Sequence, residues 1–142
     1  MKFTSITPRF VEFVPEELEE GILYISEVHG TAIHKCCCGC GEEVVTPLTP
    51  ADWHLRKQGR TVSLTPSIGN WNYACQSHYW IRKNRVEWAP RMSEEQIRRV
   101  QARDRSEKER YIAYRNAQRA DASRGVPWMC GLWATIKRWW RW

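Results

Sequence analysis

Four of the six cysteines lie within five consecutive residues, as the run Cys36–Cys38 followed by Cys40. Disulfide geometry could not pair such closely spaced cysteines without severe strain, so the pattern is not a disulfide framework. A second candidate ligand pair, Cys75 and His78, follows about 35 residues later. One cluster and one distant pair are typical of a structural zinc site, and an iron–sulfur cluster is the alternative that also takes four thiolates.

Two sets of ligands satisfy this spacing. Cys37 and Cys40 form a CxxC pair, which would join Cys75 and His78 in a site of three thiolates and one imidazole. The other set is all thiolate and consists of Cys36, Cys38, Cys40 and Cys75. The second set would leave His78 free for chemistry.

A candidate nucleophile, Ser67, lies between the two ligand segments. Pro66 precedes it and a Gly-Asn turn signal follows, which predicts that Ser67 lies at the exit of a strand. With a free His78 as base, and with turn amides or Asn70 as oxyanion donors, this serine could carry out acyl transfer. His34, two residues before the cysteine run, is a second candidate base or orienting group. The alternative is a serine that only satisfies the amides of a turn.

The segment from residue 21 to residue 89 is expected to form a small mixed or antiparallel sheet. It contains short β-branched and aromatic runs separated by Gly, Pro and Asn, which are typical of strands and turns. Residues 78–82 and 85–88 predict a hairpin, with Asn84 in the left-handed region of its turn. We expect Trp80 and Trp88 to lie on the same face of this hairpin.

The C-terminal third differs in character from the rest of the chain. Residues 91–142 contain 13 Lys and Arg against 6 Asp and Glu, which accounts for the net charge of +6. A capping-box pattern at Ser93 and Gln96 predicts a long helix over about 93–122. Four of the nine tryptophans fall in the last ten residues, where a short second helix is expected, either packed on the protein or in contact with nucleic acid or a membrane surface.

These patterns predict an α+β protein with a zinc-stabilised β core at 1–90 and a basic helical extension at 91–142. The extension is expected to pack on the core or to project from it. No apolar run has the ~20 residues of a membrane-spanning helix, and the N-terminus lacks the apolar stretch of a signal peptide. We therefore expect a cytoplasmic protein.

Four motifs in order give the chain a resemblance to a known family. They are His34-x-Cys36-x-Cys38-Gly39-Cys40-Gly41, then Val44-Val45-Thr46-Pro47-Leu48, then Pro66-Ser67-Ile68-Gly69-Asn70-Trp71, then Cys75-Gln76-Ser77-His78-Tyr79-Trp80-Ile81. Over about residues 21–98 the sequence resembles the BubE family, which is encoded in bacterial ubiquitin-like conjugation operons. Family members carry Ala or Pro at the position of Cys37, so the resemblance favours the all-thiolate ligand set.

The resemblance implies a deubiquitinase-like serine peptidase that processes or removes a bacterial ubiquitin-like modifier. Ser67 would be the nucleophile, His78 the base, and His34 a group that orients or replaces that base. Its partners would be the ubiquitin-like protein or its conjugates, together with proteins resembling ubiquitin-activating and ubiquitin-conjugating enzymes. The alternative function is a non-enzymatic, zinc-stabilised binding or adaptor module.

Overall fold

The computed structural model describes residues 2–124, which form two four-stranded sheets followed by one long helix. This arrangement confirms the predicted α+β class. The elements are β1 (Thr7–Phe10), β2 (Ile22–Ser26), β3 (Thr31–Lys35), β4 (Glu43–Pro47), β5 (His54–Gln58), β6 (Thr61–Gly69), β7 (His78–Arg82), β8 (Arg85–Trp88) and α1 (Glu94–Arg124).

Each sheet contains its strands in sequence order, so strands that are neighbours in the sheet are also consecutive in the chain. The first sheet has the order β1-β2-β3-β4, with β1 parallel to β2 and the other pairs antiparallel. The second sheet has the order β5-β6-β7-β8 and is antiparallel throughout. The second sheet positions the candidate nucleophile on β6 and the candidate base on β7.

The predicted β7–β8 hairpin is confirmed, and its turn has the geometry expected of a two-residue connection. Lys83 and Asn84 both have positive φ, at 48° and 65°, which matches the twist of the flanking strands. The expectation that Trp80 and Trp88 share a face is wrong. Trp88 is paired with Tyr79 and Trp80 with Glu87, and successive strand residues point to opposite faces.

The core is built from the alternating inward residues of both sheets. On β6 and β7 the inward positions are fully buried, while their neighbours are half-buried or exposed. Burial of these apolar side chains supplies the main driving force for folding. The buried residues in this cluster include Leu23, Ile25, Val62, Leu64, Ile68, Tyr79 and Ile81.

Helix α1 begins at the predicted cap. The backbone N–H of Ser93 donates to Gln96 at 2.8 Å, and the backbone N–H of Gln96 donates to the Ser93 hydroxyl at 3.3 Å, which is a capping box. The described part of the chain divides into two units, with the boundary between Arg105 and Ser106. The expected Trp-rich second helix lies outside the described residues. In the part of the chain that is described, no helix is long and apolar enough to cross a membrane.

Candidate active site beside a four-cysteine cluster

Strand β6 carries Ser67 within a bulge. Leu64 is paired with Ile81 and Ile68 with Tyr79, so three residues of β6 face a single residue of β7. Bulges of this kind re-aim a side chain and are common beside active sites. The prediction that Ser67 lies at the strand exit is wrong in detail, because β6 continues to Gly69 and Ser67 is a half-buried residue within the strand.

The regular pairing that follows the bulge brings Ser67 and His78 together. Gly69 is paired with His78, so Ser67, two residues earlier on the same face, is a diagonal neighbour of the imidazole. The Oγ of Ser67 and the Nε2 of His78 are 2.9 Å apart, which is hydrogen-bond distance. A hydroxyl in this contact can transfer its proton to the imidazole as it attacks a carbonyl carbon.

The surroundings of His78 keep its imidazole neutral. Partial burial lowers the pKa of His78 below its usual 6.5. Its Nδ1 is buried and has no hydrogen-bond partner among residues 2–124. The described residues therefore provide a serine–histidine pair without a carboxylate behind the histidine.

His34 lies on the other side of β7 from this pair. It is fully buried, and its Nε2 forms a 2.8 Å hydrogen bond with the hydroxyl of Tyr79, which points to the core face. Burial lowers the pKa of His34 to about 4. Within the described part of the chain, no hydrogen bond joins His34 to Ser67 or His78.

The four cysteines of the all-thiolate set converge in one place. Their sulfur atoms all lie within 4.8 Å of one another, and this group could hold a metal ion. A tetrahedral zinc with bonds of ~2.3 Å would separate its sulfurs by about 3.8 Å. The Sγ of Cys36 lies 3.4 Å from that of Cys38 and 3.9 Å from that of Cys75, so the donor set fits such an ion.

The local backbone explains how one short loop supplies three of these thiols. Cys36 follows β3 directly. Gly39 and Gly41 adopt φ values of 83° and 86°, which residues other than glycine rarely adopt. Cys37 does not join the cluster. It is buried in the core, and burial raises the pKa of its thiol to about 12, as expected of a neutral packed cysteine.

A polar network connects the cluster to the strand that carries His78. The Oγ of Ser77 lies 3.1 Å from the Sγ of Cys36 and accepts a 2.8 Å hydrogen bond from the side-chain amide of Asn70. The same amide lies 3.6 Å from the Sγ of Cys36. The expectation that Asn70 serves as an oxyanion donor is therefore wrong, because its amide is directed into the cysteine cluster.

Sequence reasoning missed the aromatic residues that contact His78, the candidate base. The rings of Trp71 and Trp80 lie 4.9 Å and 5.3 Å from the ring of His78, measured between centroids. The available signal was the alternation of β7, since His78 and Trp80 are two residues apart and share a face.

These features define a small α+β protein in which a serine–histidine pair lies on one sheet and a four-thiol cluster lies near the start of the strand that carries His78. The family described as "Bacterial ubiquitination-like system serine protease (BubE)" matches residues 10–89. The chain belongs to this family, as its motifs indicated. Comparisons with curated proteins and with solved structures find no match.

Proposed function

We propose that this protein is a serine peptidase that processes or removes a bacterial ubiquitin-like modifier, acting as a deubiquitinase-like enzyme. The observation that carries the proposal is the 2.9 Å contact between the Oγ of Ser67 and the Nε2 of His78. The family description, which names a serine protease of a ubiquitination-like system, supports the choice of reaction and of partner.

In the proposed reaction, the Oγ of Ser67 attacks the carbonyl carbon at the C-terminus of the modifier while His78 accepts the hydroxyl proton. His78 then donates this proton to the leaving amine, and an acyl-enzyme remains on Ser67. A water molecule, deprotonated by His78, releases the modifier and restores the serine. The lowered pKa of His78 suits this role, because a base must be unprotonated at neutral pH.

His34 has a supporting role in this proposal. Of the two roles expected for it, the hydrogen bond to Tyr79 favours orientation over replacement of the base. Tyr79 directly follows His78 in β7, so His34 would steady the strand that carries the base.

Cys36, Cys38, Cys40 and Cys75 would hold the proposed metal, and a set of four thiolates favours zinc. Desolvation raises the pKa of Cys75, but hydrogen bonds with Ser77, Cys38 and Cys40 together lower it to about 7, which favours the thiolate needed for binding. A closed site of four thiolates leaves no open position for water. The zinc would therefore supply folding free energy, and the reaction would rest on Ser67 and His78.

The test is cleavage of a ubiquitin-like protein that carries a C-terminal extension. This substrate is taken from the same genome neighbourhood as the peptidase. Ser67→Ala should abolish cleavage while zinc content and melting temperature stay close to those of the parent. Ser63→Ala is the matched control, because Ser63 lies on the same strand and its hydroxyl instead accepts a hydrogen bond from the backbone N–H of Lys83. Full cleavage by Ser67→Ala would end the serine-peptidase proposal and favour a binding module.

A further inference from the structure

The imidazole of His78 is enclosed by two tryptophan rings on the solvent side of the second sheet. The ring of Trp71 lies 4.9 Å from it at an interplanar angle of 59°, and the ring of Trp80 lies 5.3 Å away at 40°. Trp80 lies on the same face of β7 as His78 because the two residues are two positions apart in the strand. The guanidinium of Arg82 lies over the Trp80 ring, 5.2 Å from its centroid. Trp71 comes from the loop after β6, so a separate feature must bring it to the imidazole.

That feature is Gly69. A Cβ at this position would lie 2.4 Å from the Cε2 of Trp71 and 2.5 Å from its Cζ2, distances that real Cβ contacts essentially never show. The backbone of Gly69 is not in the left-handed region, so the glycine is required for space and not for conformation. Because Gly69 is paired with His78 across the two strands, a ring seated on Gly69 lies beside the imidazole.

The same imidazole lacks the support that a serine hydrolase usually gives its base. In a catalytic triad a carboxylate accepts a hydrogen bond from the Nδ1–H and fixes the ring orientation. Here Nδ1 of His78 is buried and unpartnered among residues 2–124. Among the described residues, the imidazole is therefore held by the hydrogen bond to Ser67 and by contacts with the rings of Trp71 and Trp80.

We propose that Trp71, seated on Gly69, is a positioning residue that holds the imidazole of His78 toward Ser67 in place of an acidic partner. This inference rests on the proposed function of the Ser67–His78 pair. Trp71 supplies a tilted aromatic ring beside the imidazole and limits the rotation of the imidazole about its side-chain bonds. Loss of that ring should lower the fraction of molecules in which Nε2 faces the serine hydroxyl, and with it the rate of proton transfer.

The experiment measures phosphonylation of Ser67 by a fluorophosphonate probe in the zinc-loaded, full-length protein. Trp71→Ala and Trp71→Leu should lower the maximal labelling rate by about tenfold or more, with the apparent probe affinity unchanged. Trp71→Phe should retain most of the rate because it restores an aromatic ring, whereas leucine restores only volume. Gly69→Ala should reproduce the defect independently, because its Cβ displaces the indole.

A second measurement follows the ring nitrogens of His78 by NMR. The parent should give one set of resonances, and Trp71→Ala should give broadened or doubled resonances at the same zinc content. Equal labelling rates for the leucine and phenylalanine variants, or a change confined to probe affinity, would overturn the positioning role. Absence of labelling in the parent would overturn the proposed nucleophile instead, and the NMR comparison would still decide whether Trp71 holds the imidazole.

Discussion

Cys37 and Cys38 are adjacent and chemically identical, yet the structure gives them different environments. Cys38 belongs to the group of four sulfurs that lie within 4.8 Å of one another, whereas Cys37 is 2% exposed and packs in the apolar core. Replacement of each by alanine removes one thiol at neighbouring positions of the same loop. The pair therefore separates the contribution of the metal from that of packing.

The two substitutions should differ greatly in their effect on stability. Cys37→Ala deletes one buried sulfur atom, which should cost about 1 kcal/mol and a few degrees in melting temperature. Cys38→Ala removes one of four metal ligands, and structural zinc sites supply ~10–16 kcal/mol of apparent binding energy. Because a domain of this size has only ~5–15 kcal/mol of net stability, loss of the metal should unfold the protein.

The assay combines zinc content, measured by a chromophoric chelator after denaturation, with thermal unfolding. Cys37→Ala should contain one zinc per chain and melt cooperatively, and Cys38→Ala should be insoluble or unfolded and free of metal. Cys75→Ala should behave like Cys38→Ala, since its sulfur belongs to the same group. Loss of zinc from Cys37→Ala with retention in Cys38→Ala would refute the ligand assignment, and iron with sulfide in the parent would refute zinc.

The titration of two histidines and the cap of α1 give three further predictions. Burial lowers the pKa of His78, so the rate of Ser67 labelling should be constant through neutral pH and should fall in acid with a midpoint below pH 6.5. A midpoint above pH 6.5 would contradict this prediction. Burial also lowers the pKa of His34 to about 4, so its contribution to stability is fully present above 6.5 and is lost as pH falls toward 4. Calorimetry should therefore show that acid lowers the melting temperature of His34→Gln less than that of the parent. An equal loss in both proteins would exclude protonation of His34 as a cause of the acid destabilisation. Ser93→Ala should cost the helix about 1 kcal/mol, measured as reduced ellipticity and lower urea resistance, and no change would show that the cap is dispensable.

Local sequence signals were sufficient for the elements that depend on neighbouring residues. The β7–β8 turn followed from Asn84, whose side chain tolerates positive φ, and the start of α1 followed from the Ser93–Gln96 cap. The family resemblance favoured the ligand set, and the convergence of its four sulfurs agrees with that choice. The same local signals did not single out β3, which carries His34, although a turn ending at Gly30, with φ of 59°, directly precedes the strand Thr31–Lys35.

The features that escaped prediction depend on register, which a short sequence pattern does not specify. The positions of Trp80 and Trp88 in the sequence suggested that the two side chains share a face of the hairpin. The two-residue turn instead pairs Trp88 with Tyr79, so Trp80 lies on the opposite face. The bulge around Ser67 adds residues to β6 relative to β7. Pro66 is a residue that interior strands admit at bulges, but it does not specify which residues of β7 are paired on either side. The contact between Trp71 and His78 needs both the pairing of Gly69 with His78 and the missing Cβ of Gly69.

The cysteine cluster and the serine–histidine pair have no chemistry in common, but a short stretch of backbone connects them. Cys75 lies three residues before His78, and between them Ser77 contacts Cys36 through its hydroxyl and accepts the backbone N–H of Asn70 at 2.8 Å through its carbonyl. A metal held by the cysteines would thus fix the chain immediately before the base. Orientation that a triad obtains from a carboxylate would come here from an anchored backbone on one side of the imidazole and from aromatic rings on the other. If the proposed reaction holds, a core this small could meet the positional demands of acyl transfer in that way, because the restraints that fold the loop would also orient His78 toward Ser67.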